Sequence, residues 1–188
     1  MSRASDEQVE QWREEDGLPA VDLHTGALKS GSEMAVIAVD PGDVHCGMAL
    51  GITGPGGQFD VVRAWEATPD DCADYVASWL LSGELEALVV EKFSLYADKA
   101  QAQIGSQMET AQLIGVLRYL VRIAGLEAGK QGRACATLAM YGADTKKSMR
   151  AQLRARGIAL LPASADHARD AQLHLWHWVG EHKMGWGT

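Results

Sequence analysis

The segment MAVIAVDPGDVHCGMALGI, Met34 to Ile52, opens with an apolar, β-branched run, Ala35-Val36-Ile37-Ala38-Val39, that has no polar alternation. Such a run reads as a strand buried on both faces. It ends on a carboxylate, Asp40, and Pro41-Gly42 then forces a turn. A second apolar run, Met48 to Ile52, follows. An acidic group thus stands at the carboxyl end of a central strand, where α/β folds build their sites. An unpaired buried charge is costly, so a metal ion is a natural partner for it. Asp-Pro-Gly is also a common turn sequence, and read alone it favours a plain turn. The remaining chain decides between the two.

Outward from this segment, 188 residues suggest one domain with length to spare for a tail, and 47% hydrophobic residues are enough for a real core. No apolar run reaches the roughly 18 residues of a membrane span. The polar, acidic N-terminus does not look like a signal peptide. Cys46, Cys72 and Cys135 are far apart with no CxxC pair, and read as reduced cytosolic thiols packed as small apolar groups. A cytoplasmic location is expected, the host cytoplasm for a viral protein.

The formal net charge of −8 argues at first against a nucleic-acid partner, but its distribution matters more. Residues 1–34 hold eight acidic and three basic side chains, a net of −5. Residues 118–156 hold nine basic and two acidic side chains, a net of +7. A local basic surface is what phosphate binding needs; a solvated helix face would look the same. Residues 1–33 are expected to form an acidic extension: Asp6 to Glu15 could form a short helix, and a mobile arm or loosely docked extension is at least as good a reading. Repulsion by this arm would restrain non-specific DNA binding. Residues 34–188 form the domain proper.

Gly47 to Thr53 and Gln58 to Glu66 predict two further strands around the turn Gly54-Pro55-Gly56-Gly57, completing an antiparallel meander. Thr68-Pro69-Asp70-Asp71 has the form of a helix start, and Ser82-Gly83 that of its end. Glu86 to Glu91 (EALVVE) repeats the opening logic: a short apolar strand terminates on a carboxylate. After a helix this strand is expected to run parallel to the first. As neighbours, Asp40 and Glu91 would lie side by side and repel, unless one is protonated or a cation sits between them.

A helical stripe runs from about Lys99 to Ala124, with Gly115 read as permitting close packing. Arg133 to Met140 predicts a strand, and Asp144 to Arg156 a short helix. Lys146 and Lys147 in that helix's first turn oppose its dipole, which makes sense if lysines and helix terminus meet phosphate together; two solvated lysines are the plainer reading. The final helix, about Ser164 to His182, carries Asp166, His167 and Asp170 at spacings that stack pairs on one face, able to chelate a divalent cation. His174 and His177 read as packing or surface histidines, and a zinc site at His167, His174 and His177 is disfavoured.

A strand ending in Asp, a later strand ending in Glu, a basic helix and a final helix with His-x-x-Asp, in that order, resemble the RuvC family of Holliday-junction resolvases within the ribonuclease H-like superfamily. AVDPGDVHCGMALG looks like the family's first strand, Val89-Val90-Glu91 like its second acidic site, SQMETAQLIGVL like the helix that follows, and Lys146-Lys147-Ser148-Met149 like its basic element. The resemblance spans roughly Met34 to Val179, and the compact size suggests a viral or bacterial member.

It implies an α/β ribonuclease H-like fold, a mixed five-stranded sheet with helices on both faces. Asp40, Glu91 and Asp170 match the three acidic positions, and His167 a fourth that is Asp or His in the family; Asp166 is one residue off that register. Lys147 looks like the family's lysine near the phosphate, while Ala136 stands near the place of a second lysine that is missing here. Phe93 or Tyr96 would be the aromatic that probes the junction. Lys146, Lys147, Arg150 and Arg154 would contact DNA.

The implied reaction is hydrolysis of a DNA phosphodiester with two Mg²⁺ or Mn²⁺ ions about 3.5–4 Å apart. Asp40 would bridge both ions, Glu91 would bind one, and Asp170 and His167 the other. Lys147 would neutralise charge in the transition state. A symmetric homodimer would make the two matched nicks.

Three rival readings stand beside this one. A broader branched-DNA nuclease would cut flaps, forks or RNA–DNA hybrids. A non-catalytic junction-binding protein would keep the fold without the chemistry. An actin-like kinase or ATPase half needs two such domains and a second phosphate loop, for which this chain is too short.

Overall fold

A computed structural model of the chain describes residues 34–54, 57–93, 108–132, 135–163, 165–182 and 184–186. The expected acidic extension, residues 1–33, lies outside the described residues. The opening segment forms β1 (Met34–Asp40) and β2 (Cys46–Thr53), paired antiparallel with Asp40 opposite Gly47. Strand β3 (Gln58–Ala67) completes the meander. Helix α1 (Pro69–Ser82) starts as its sequence demands: Thr68 accepts a hydrogen bond from the Asp71 amide at 3.2 Å, Pro69 fills the first turn, and Gly83 closes the helix at φ 77°.

Strand β4 (Leu85–Glu91) then returns parallel to β1, with Val39 opposite Val90, so Asp40 and Glu91 emerge side by side. Helix α2 (Glu109–Lys130) crosses to β5 (Thr137–Tyr141), which is parallel to β4. Helices α3 (Thr145–Arg156) and α4 (Asp166–Glu181) follow, and a two-residue strand, β6 (Gly185–Trp186), pairs with β3.

The sheet order is β5-β4-β1-β2-β3-β6. With β6 as a small addition, this is the expected mixed five-stranded sheet with helices on both faces. Residues of β1 alternate between two cores, as period-two side chains must. Ile37 and Val39 pack with α1 and α2 on one face, and Val36 and Ala38 with α3 and α4 on the other. Both faces of β1 are therefore covered, which is why its sequence carries no polar alternation.

Several boundaries and roles differ from the sequence expectation. Helix α2 runs six residues past Ala124, through Gly125 and Gly129, because Ala128 is buried and Lys130 pairs with Glu127 at 2.6 Å. Most of its expected start, residues 99–107, falls outside the described residues. Gly115 does not serve close packing: a methyl group there would meet nothing within 4 Å. Strand β5 begins at Thr137 rather than Arg133, since ladder pairing starts where Thr137 meets Ala87. Cys46 and Cys72 are buried as expected, but Cys135, just ahead of that ladder, is exposed.

The basic region is not one surface either. Arg118, Arg122 and Lys130 belong to α2, while Lys147, Arg150 and Arg154 belong to α3 on the opposite face of the sheet.

Candidate active site

Asp40 and Glu91 share a side of the sheet for a simple reason. Val36 and Ala38 in β1, and Ala87 and Val89 in β4, all face α3 and α4. Asp40 and Glu91 fall on the same alternation, at the carboxyl ends of adjacent parallel strands. Gly47, opposite Asp40, brings α4 to them: a Cβ at that position would lie 1.9 Å from the His167 carbonyl oxygen. Only a residue without a side chain lets the first turn of α4 come this close. His167 consequently places Nδ1 2.6 Å from Asp40 Oδ2.

The turn after Asp40 is anchored as well. Asp43 Oδ1 accepts hydrogen bonds from the Thr110 amide, at 3.2 Å, and from the Thr110 hydroxyl, at the N-terminus of α2. A carboxylate there is favoured by the helix dipole. The first turn of α2 thus supports the loop that carries Asp40.

Asp170 stands one turn beyond His167, and His174 one turn beyond Asp170. His174 is fully buried; its Nε2 lies 2.8 Å from Glu91 Oε2, and its Nδ1 3.4 Å from Thr145 Oγ1. The expectation of a packing histidine is correct about burial and incomplete about chemistry. The available signal was the Asp170–His174 spacing of four, which puts both on the face that carries His167.

Lys146 is the lysine at the centre. Its ammonium donates to Glu91 Oε2 at 2.8 Å and to Asp170 Oδ2 at 2.7 Å, and lies 3.7 Å from Asp40 Oδ1. Lys147, expected there from the resemblance, is exposed on the next position of α3. Adjacent helix residues point about 100° apart, so only one of the two can enter the cluster. Arg150, one turn on, donates to Asp170 Oδ1 at 3.0 Å.

The remaining sequence candidates among the described residues stand apart from the cluster. Asp166 is exposed and pairs with Arg169. Arg154 is exposed on α3. Phe93 packs against the α1–α2 core, and Tyr96 lies outside the described residues. His177 sets its ring edge-on to Tyr141 and lies 3.4 Å from Glu181, so the three histidines do not converge.

Asp40 and Glu91, side by side, reshape one another. Burial, then the neighbouring Glu91, pushes Asp40 up to about 7 against the opposing pull of His167 and Lys146. Burial also works to raise Glu91, but hydrogen bonds from His174, Asp40 and Lys146 outweigh it and hold Glu91 well below the usual carboxylate range. The hydrogen bond to Asp40 raises His167. Burial works against the charge of Lys146, yet its bonds to Asp170 and Glu91 raise it above its ordinary value.

The donor set fits a hard divalent ion. Asp40, Glu91 and His174 each offer a ligand atom, all within 4.8 Å of one another, and Asp170 and His167 border the same space. The carboxylate oxygens suit a hard divalent ion, and an imidazole is a ligand for divalent metals as well.

No family model matches the chain, and no curated protein matches its sequence. Solved structures do resemble it. RuvC from T. thermophilus, in complex with a Holliday junction substrate, is 17% identical, with 80% of this chain and 96% of that chain covered and a TM-score of 0.47. The yeast mitochondrial Holliday junction resolvase is 11% identical over 96% of this chain and 78% of that chain, with a TM-score of 0.41. The fowlpox virus Holliday junction resolvase is 9% identical over 79% of this chain and 99% of that chain, with a TM-score of 0.47.

Proposed function

We propose that the chain is a divalent-metal-dependent endonuclease that resolves Holliday junctions by phosphodiester hydrolysis. The observation that carries this reading is the convergence of Asp40, Glu91 and Asp170, from β1, β4 and α4, with His167 and His174 beside them. Clustered carboxylates are destabilising by themselves and fit a role that needs cations.

Two Mg²⁺ or Mn²⁺ ions, when bound, would supply an activated water and a stabilised leaving oxygen. Asp40 would hold both. Glu91 would bind on one side, oriented by His174, and Asp170 with His167 on the other. Lys146 and Arg150 stand where a scissile phosphate would need its charge neutralised. Lys147 and Arg154 would follow the DNA backbone along α3. A four-way junction needs two matched nicks, which a homodimer supplies. Leu81, Tyr119, Ile123 and Leu126, exposed on α1 and α2, offer an apolar surface for it.

The test is cleavage of a synthetic four-way junction, a flap, a fork and linear duplex with Mg²⁺, with Mn²⁺ and with chelator, beside Asp40→Asn. Paired symmetric nicks on the junction, lost in the variant while junction binding survives, are the expected result. Single cuts spread over flaps and forks would make the chain a broader branched-DNA nuclease. Junction binding with no metal-dependent cutting would make it a binding protein.

A further inference from the structure

We propose that Lys146 is the resident cation of the acid cluster, and that its ammonium and a divalent ion exclude one another there. The inference rests on the metal-site reading above and adds how the site is regulated. The ammonium meets carboxylates from three separate elements: Glu91 of β4 at 2.8 Å, Asp170 of α4 at 2.7 Å and Asp40 of β1 at 3.7 Å. These are the oxygens a metal would need. A divalent ion approaches its oxygens to about 2.0–2.6 Å, so an ammonium hydrogen-bonded to Glu91 and Asp170 and 3.7 Å from Asp40 would face it at short range with like charge.

Lys146 is built to leave. Its stem is a flexible four-carbon chain. It projects from the first turn of α3, where the helix dipole disfavours a cation, so the acids alone favour its present position. Arg150 keeps its own hold on Asp170 through the other oxygen, Oδ1, and would steady that carboxylate during the exchange. In the metal-free protein the lysine offsets the repulsion among the acids. Once displaced, its charge is released at the edge of the same site.

The experiment measures Mn²⁺ binding calorimetrically to the full chain, as wild type, Lys146→Met and Asp40→Asn, with melting temperatures in chelator and in saturating Mn²⁺. Lys146→Met should bind Mn²⁺ at least about tenfold more tightly than wild type, since it removes a competing cation. It should melt lower in chelator, with the gap to wild type narrowing in Mn²⁺. Equal or weaker Mn²⁺ binding by Lys146→Met overturns the inference while leaving the metal site standing. Absence of binding by wild type and variant alike removes the metal-site reading and this inference together. Should Lys146→Met not fold, the wild-type Lys146 ammonium is followed by ¹⁵N NMR during a Mg²⁺ titration. A shift toward the free-lysine position that saturates with binding supports exchange, and an unmoved signal at saturation overturns it.

Discussion

His174 Nε2 lies 2.8 Å from Glu91 Oε2, and no atom of the His174 side chain reaches solvent. The imidazole fixes one of the two strand-end carboxylates and is the first favourable influence lowering its proton affinity. Groups that orient metal ligands typically contribute 10- to 100-fold to metal affinity or activity. His174→Ala should therefore lose about 10- to 100-fold in single-turnover junction cleavage, and His174→Gln, which keeps a donor, should lose less. Equal activity in wild type and His174→Ala, measured under saturating Mn²⁺, would reduce the residue to packing.

This residue also marks where sequence reading stops. Asp40 and Glu91 were legible because each interrupts an apolar strand at its end, and strand order then placed them together. His167 and Asp170 were legible from helical spacing. His174 was hidden because it sits among Leu173, Leu175 and Trp176, in a run that reads as core. The choice between Lys146 and Lys147 was open for a different reason: helical phase is fixed by the packing of Met149 and Leu153, which only the fold reveals. The split of the basic residues over two faces was likewise invisible, since the charge count ignores which side of the sheet each helix covers.

Gly47 should be intolerant of any side chain. The added methyl of Gly47→Ala would lie within 2.0 Å of two His167 main-chain atoms, neither of which can rotate away. Overpacking of this kind costs about 1–3 kcal/mol, and here it also pushes His167 from Asp40. Chemical denaturation should show that loss, with a fall in Mn²⁺ affinity. Gly115→Ala is the control: the methyl meets open space inside a helix, so stability should rise by about 0.5–1 kcal/mol. A neutral Gly47→Ala would mean that α4 is not seated as described.

Metal binding and pH should be coupled through Asp40. Its folded value is raised from 3.8 to about 7, so in the metal-free protein its contribution to stability is complete below the unfolded value and lost as pH rises through about 7. Glu91 is shifted the other way, and its contribution is lost only as the medium becomes acidic. A divalent ion must displace the proton on Asp40, so Mn²⁺ should raise the melting temperature little near about pH 5.5 and much more near about pH 8. Asp40→Asn should flatten that dependence. A Mn²⁺ effect that shrinks toward pH 8 would contradict the assignment of Asp40 as a ligand.

The division of positive charge between α2 and α3 predicts an asymmetric salt dependence. Of these two helices only α3 shares the face of Asp40 and Glu91, so DNA held at the acid cluster should pass over Lys147 and Arg154 and away from Arg118 and Arg122. Removing the cation that neutralises one phosphate lowers the slope of log binding constant against log salt by about 0.9. Lys147→Ala and Arg154→Ala, measured on a junction in chelator, should each reduce the slope by about that amount and weaken duplex and junction alike, since phosphate contacts carry no sequence. Arg118→Ala and Arg122→Ala should leave the slope unchanged. The opposite pattern would put the DNA path across α2, on the far side of the sheet from the acids. The cluster could then not reach the bond it is proposed to cut.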